Sequence, residues 1–184
     1  MTDVRCARRA LVTVALCAAP VVTPLAAFAQ AALPTPTSIL GWEPGTDRKL
    51  PTWKQVTDYF AALDRASSRV TVRTLGKTTL GRPFIVAFIG EPSTLANLER
   101  YRQIQRKLVD PRLQAQGGRE RLLVDGKVVV LITSSIHSTE VGGFLTPFNL
   151  AYRLAKADTP EARQVLASSI VMLVPSQNPD GVDI

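Results

Sequence analysis

Val128-Val129-Val130-Leu131-Ile132-Thr133 runs, after two residues, into Ile136-His137-Ser138-Thr139-Glu140-Val141-Gly142-Gly143. The first stretch is a continuous apolar run, the signature of a strand buried on both faces. The second carries the chain from that strand into a helix predicted from Glu140 to about Lys156. It contains the only histidine of the chain, and Glu140 follows three residues later. Across a loop and a first helical turn, two residues at that spacing can point to one side. Imidazole and carboxylate both suit zinc, and the carboxylate offsets the charge of the ion. A zinc site needs at least three protein ligands, however. Gly142 and Gly143 would allow close backbone packing where the helix starts.

A second buried strand is predicted at Ile170 to Val174, ending in Pro175-Ser176-Gln177-Asn178-Pro179-Asp180-Gly181. Upstream, Thr52 caps a helix from Trp53 to about Ala66, with Val56, Tyr59, Phe60 and Leu63 on its core face. Val70 to Leu75 alternates as a half-buried strand does, Gly76 to Arg82 is a turn, and Pro83 to Ile89 is a second strand, so the pair forms a hairpin. Ser93 is read as the cap of a long helix to about Val109, with Leu95, Leu98, Tyr101, Ile104 and Leu108 as its buried stripe. Pro111, Gly117 and Gly118 close that helix in a loop, and Thr159-Pro160 starts a short helix. Buried strands alternating with helices specify an α/β fold. The expected architecture is a mixed, mostly parallel sheet with helices on both faces. Such sheets bind ligands beyond the carboxyl ends of their strands, where His137 and Asn178 fall.

The 184 residues, 46% hydrophobic and 20% charged, suit one globular domain. Residues 1–29 read as a secretory signal: Arg5, Arg8 and Arg9, an apolar run from Ala10 to Ala19, then Ala27-Phe28-Ala29 before Gln30. The stretch is long enough to span a membrane, but Pro20, Pro24 and the small-residue exit favour cleavage, leaving no stable membrane anchor. Both cysteines, Cys6 and Cys17, would leave with it. The expected location is secreted or periplasmic, with any metal held by nitrogen and oxygen. Residues 30–51 are read as an extended lead-in, and 52–184 as the domain proper. The net charge of +7 does not signify nucleic acid. Arg100, Arg102, Arg106 and Lys107 form the wet face of an amphipathic helix without interleaved stacking aromatics.

Taken alone, the His137/Glu140 pair is also what a loop histidine and a dipole-favoured first-turn glutamate look like. Its flanks go further. The chain resembles the zinc carboxypeptidases of the carboxypeptidase A-like metallopeptidase family in four ordered stretches. These are the Trp53–Leu63 helix with the Val70-Thr71-Val72 strand; Leu75-Gly76-Lys77-Thr78-Thr79-Leu80-Gly81-Arg82-Pro83, like the family's G-x-S-x-x-G-R element; His137-Ser138-Thr139-Glu140, its H-x-x-E pair; and Val174 to Gly181, similar to its N-P-D-G turn. Thr78 stands where the family often has Ser. Thr139 stands where the digestive enzymes carry a substrate-contacting Arg.

The resemblance implies that His137 and Glu140 are the first two ligands of a Zn2+ ion. The third ligand, the catalytic Glu and the residues holding the substrate carboxylate come later in the family, with no counterpart before Ile184. The chain is therefore expected to be the front part of a zinc-dependent metallocarboxypeptidase that removes C-terminal residues from peptide substrates, cell-wall peptides among them. Alone it should bind zinc weakly and not turn over. A zinc-dependent amidase or deacylase of the same fold, or a non-catalytic member binding peptide ends or cell-wall fragments, are the alternatives. The Asn178-Pro179-Asp180-Gly181 turn is expected to shape the cleft, and Arg82 to anchor a neighbouring loop.

Overall fold

The computed structural model describes residues 32–113 and 118–183; the expected signal sequence and both cysteines lie outside them. The helices, in chain order, are Pro36–Leu40 (α1), Trp53–Ala66 (α2), Pro92–Leu95 (α3), Leu98–Val109 (α4), Gly118–Asp125 (α5), Val141–Lys156 (α6), Pro160–Ser168 (α7) and Pro179–Val182 (α8). The strands are Val70–Lys77 (β1), Pro83–Ile89 (β2), Val128–Thr133 (β3) and Ser169–Val174 (β4). They form one sheet in the order β1-β2-β4-β3.

The predicted hairpin is present, with β1 and β2 antiparallel and a register irregularity between Thr74 and Gly76. β2 pairs antiparallel with β4, and β4 pairs parallel with β3 from Val128 opposite Ser169 to Thr133 opposite Val174. Only β2 is reversed, so the sheet is mixed with three strands running one way. Only the β3–β4 neighbours are parallel partners, however, because the β1–β2 hairpin inserts the reversed strand. The carboxyl ends of β3 and β4 therefore lie side by side, and both candidate loops leave from that edge.

Alternation along the strands sorts side chains onto two layers. Ile85, Ala87 and Ile89 of β2, with Val171 and Leu173 of β4, join one core with Tyr59, Phe60 and Leu63 of α2 and Phe148, Ala151 and Leu154 of α6. The Phe148 ring sits 5.0 Å from that of Tyr59 and 6.3 Å from that of Phe60, and the buried Tyr59 hydroxyl donates to the Phe148 carbonyl oxygen at 3.2 Å. On the other layer Ile170 packs with Leu95, Leu98, Phe88 and Tyr101. Helices thus flank both faces. α2 begins as read, in a capping box: Thr52 accepts from the Gln55 amide, and the Gln55 side chain accepts from the Thr52 amide.

Several expectations are corrected. The Val128–Thr133 run is a strand, but it is not buried on both faces: Val128 is 64% exposed, Val129 37%, Val130 38% and Leu131 60%. It has β4 on one side and nothing among the described residues on the other. The long helix does not start at Ser93. Glu91 caps α3 with Pro92 in its first turn, and the chain breaks at Ala96–Asn97 before α4 resumes. Leu95 and Leu98 still reach the core, so the apolar stripe survives the break. Gly118 opens α5 instead of a loop; none of its residues is buried, which is why no apolar stripe announced it. The lead-in is not simply extended, for it holds α1, capped by Thr35, whose Leu40 is buried against the main core.

Candidate metal centre

The site is built on the loop from β3 to α6. Its first residue continues the sheet, the Ser134 amide donating to the Val174 carbonyl at 3.0 Å. Ser135 then takes the left-handed conformation, with φ of 45°. That conformation is uncommon for a residue with a side chain, and it turns the chain out of the sheet direction. Gly143 makes room for the bend: a Cβ there would lie 3.4 Å from Ser135 Cα and N. The expected close packing therefore holds for Gly143 but not for Gly142, where a Cβ would meet nothing within 4 Å.

His137 and Glu140 are brought together as predicted. His137 Nδ1 lies 2.9 Å from Glu140 Oε1, and Glu140 Oε2 accepts from the backbone amides of Ile136 and His137 at 2.9 and 3.2 Å. The hydrogen bond from the ring, then those from the two amides, holds the Glu140 carboxyl down at about 2. An ionised carboxylate can only accept, so Nδ1 carries the ring proton and Nε2 is left to solvent. The two side chains are 71% and 44% exposed, open to an arriving ion.

This donor set fits part of a zinc site. A nitrogen and an oxygen donor stand close together on one side of the loop. The second carboxylate oxygen is anchored by amides, as ligating carboxylates commonly are. It does not complete one, since no group of three His, Cys, Asp or Glu residues capable of holding an ion occurs among the described residues.

The segment after β4 lies against this loop. Asn178 caps α8 through Oδ1, which accepts from the Gly181 amide at 3.0 Å. Its Nδ2 donates to the Ile136 carbonyl oxygen at 3.0 Å. The predicted turn is thus a one-turn helix. Asp180 accepts from the Thr78 hydroxyl at 2.6 Å, the Leu80 amide at 3.2 Å and Arg82 Nη1 at 3.1 Å. Those donors, the Thr78 hydroxyl foremost, keep its carboxyl below the ordinary range. Arg82 is the expected anchor: its Nε and Nη2 also reach Asp183 Oδ2, each at 2.9 Å. Sequence reasoning missed Asp183, whose Oδ1 accepts from the Trp53 amide at the start of α2 at 2.7 Å. It also missed Ser176, which is fully buried and donates to the Ser135 carbonyl. Neither stood at a spacing that marked it. An open groove of about 360 Å³ runs between the hairpin turn and α8, lined by Lys77, Thr78, Phe84, Gln177, Asn178 and Asp180 among others.

The order of these pieces along the chain is that of a known family, and a family model described as zinc carboxypeptidase matches residues 56–184. The chain belongs to the zinc carboxypeptidase family. Within that family the use of Thr78 in place of Ser changes little here, because the atom employed is the hydroxyl that both residues carry. The fold agrees with solved structures. A metallo-carboxypeptidase from Burkholderia cenocepacia superposes with a TM-score of 0.52 at 22% identity, over 72% of this chain and 28% of that one. Carboxypeptidase A from Helicoverpa armigera gives 0.52 at 16%, over 80% and 31%. Thrombin activatable fibrinolysis inhibitor gives 0.55 at 10%, over 81% and 31%. The chain thus spans less than a third of the length of these structures. No curated protein matches it.

Proposed function

We propose that the chain forms the front part of a zinc-dependent metallocarboxypeptidase that removes C-terminal residues from peptides, with His137 and Glu140 as two of its zinc ligands. The observation that carries this reading is the donor pair itself, 2.9 Å apart at the carboxyl end of β3 in a member of this family. Bound zinc supplies a polarised scissile carbonyl and a water acidic enough to attack at neutral pH. This chain's residues prepare the place. Two backbone amides fix the Glu140 carboxylate, and the His137 ring would offer the ion its proton-free nitrogen. The third ligand and the catalytic carboxylate lie outside residues 32–183 in this reading. The first 29 residues direct export to a secreted or periplasmic location. Among the described residues no helix is long and apolar enough to cross a membrane.

The test compares residues 1–184 with the product of the full reading frame. The 184-residue chain should bind zinc more weakly than micromolar and release nothing from peptides. A longer product should free single C-terminal residues, detected by mass spectrometry, and lose this in His137→Ala. Micromolar or tighter zinc binding by the 184-residue chain that His137→Ala abolishes would overturn the placement of the third ligand. Removal of acyl or amide groups with peptides left intact would replace the peptidase by an amidase.

A further inference from the structure

The loop that bears His137 and Glu140 is not held by its own contacts alone. Between Thr133 and His137 the chain passes through Ser135, with φ of 45°, a backbone state that has to be imposed from outside. The segment after β4 supplies the restraint. The Gln177 amide donates to both the Ser134 and Ser135 carbonyls, at 2.9 and 3.0 Å. The buried Ser176 hydroxyl donates to the Ser135 carbonyl at 3.1 Å and accepts from the Asn178 amide at 3.0 Å. Asn178 Nδ2 then takes the Ile136 carbonyl, one residue before the candidate ligand. Consecutive residues of one segment thus bond consecutive carbonyls of the other. Behind that segment, Asp180 is tied to Thr78, Leu80 and Arg82, which fixes it to the β1–β2 hairpin.

From this we infer that Ser176 and Asn178 are positioning residues for the metal pair: they hold the Ser135 and Ile136 carbonyls so that the His137 ring and the Glu140 carboxylate stand together before any ion arrives. The claim rests on the zinc reading above for what the pair is for, and on the hydrogen bonds alone for how it is held. Partners of this outer kind, when removed, typically cost about 10–100-fold in metal affinity. The two residues act on the loop backbone, not on the donor atoms, so their loss should loosen the pair while the sheet stays intact.

The experiment uses two neutral variants of the 184-residue chain. Asn178→Ser keeps a hydroxyl that can cap α8 but is too short to reach the Ile136 carbonyl. Ser176→Ala deletes the hydroxyl between Ser135 and Asn178. Two quantities are read by NMR. One is hydrogen exchange at the Ile136 and His137 amides, both of which donate to Glu140 Oε2 and so report on the loop without metal. The other is zinc affinity, followed at the ring signals of His137, the only histidine. Asn178→Ser should speed exchange at both amides and weaken zinc binding by about tenfold or more, with exchange along β4 and the thermal midpoint unchanged. Ser176→Ala should act in the same direction. Unchanged exchange at the two amides in both variants overturns the inference. So does faster exchange with zinc affinity unaltered, where the parent binds zinc through His137. If the parent binds no zinc, or binds it equally in His137→Ala, the zinc reading falls, and faster exchange in the variants still upholds the positioning.

Discussion

Leu131→Lys should convert a weakly self-associating chain into a monomer. β3 is an edge strand whose outer backbone groups meet no partner among the described residues, and such edges pair readily with other edges. Its side chains make this one adhesive. Val128, Val129, Val130 and Leu131 are 64, 37, 38 and 60% exposed, together equivalent to about two whole apolar side chains. Burying one such side chain completely is worth about 1.5–3 kcal/mol, so covering the strand yields roughly 3–6 kcal/mol per copy. Two copies meeting edge to edge would gain about twice that. Association costs on the order of 4–15 kcal/mol in lost freedom. Even at the lower end of that cost the balance is at most about 8 kcal/mol, a dissociation constant no tighter than about 1 μM, and it is about 0.1–1 mM where roughly 4–5.5 kcal/mol remains. For a chain starting at Gln30, sedimentation velocity over that concentration range should show a rising weight-average coefficient. Leu131→Lys should hold it constant, at a cost to the fold of about 1 kcal/mol because the side chain is already largely in water. A parent that sediments as a monomer throughout, or a lysine variant that associates equally well, would rule out pairing through β3. A nanomolar dimer would also refute it, since these four side chains cannot supply that energy.

Phe148→Ala, which removes a fully buried ring packed on Tyr59 and Phe60, should cost about 3–5 kcal/mol in urea denaturation; a loss under about 1 kcal/mol would show that α6 does not need this contact. Gly142→Ala meets nothing within 4 Å and sits in the first turn of α6, so it should stabilise by about 0.5–1 kcal/mol, read from the same curves. Acid should weaken the fold through Glu140, whose carboxyl is lowered from 4.5 to about 2 by His137 and two amides. A depressed carboxyl contributes stability that is whole above pH 4.5 and fades as pH falls toward 2. Glu140→Gln should flatten that part of the stability–pH profile, and an unchanged acid limb would place the loss elsewhere.

Much of the fold was legible because it is local. Thr52 with Gln55 makes a capping box, Thr159 before Pro160 marks a helix start, and β1 and β2 sit close enough in sequence to be a hairpin. Where a signal was not local, reading failed in a consistent way. An apolar stripe reports which side chains want burial, and it carried straight across the break at Ala96–Asn97, since Leu95 and Leu98 serve the same core on either side. α5 buries nothing and left no stripe. The run from Val128 to Thr133 states a demand for cover, and composition cannot show whether the cover is in the same stretch of chain.

The candidate site divides along the same line. His137 and Glu140 were legible because a loop-to-helix spacing brings two donors to one side, and the structure places their atoms 2.9 Å apart. What holds them was not, because it is long-range: Ser176 and Asn178 act on carbonyls some forty positions upstream, at separations of 41 and 42 residues. Nothing in a serine or an asparagine announces which backbone oxygen it will meet. Arg82 was anticipated as an anchor but its partners were not, since Asp180 and Asp183 lie at separations of 98 and 101 residues. Of the four stretches that carry the family pattern, those around Trp53, Gly81-Arg82 and His137 each hydrogen-bond the segment from Asn178 to Asp183. A motif that looks like separate short matches in the chain is, in space, one connected restraint ending at the His137–Glu140 pair. This is why the ordered set was informative when each piece alone was not.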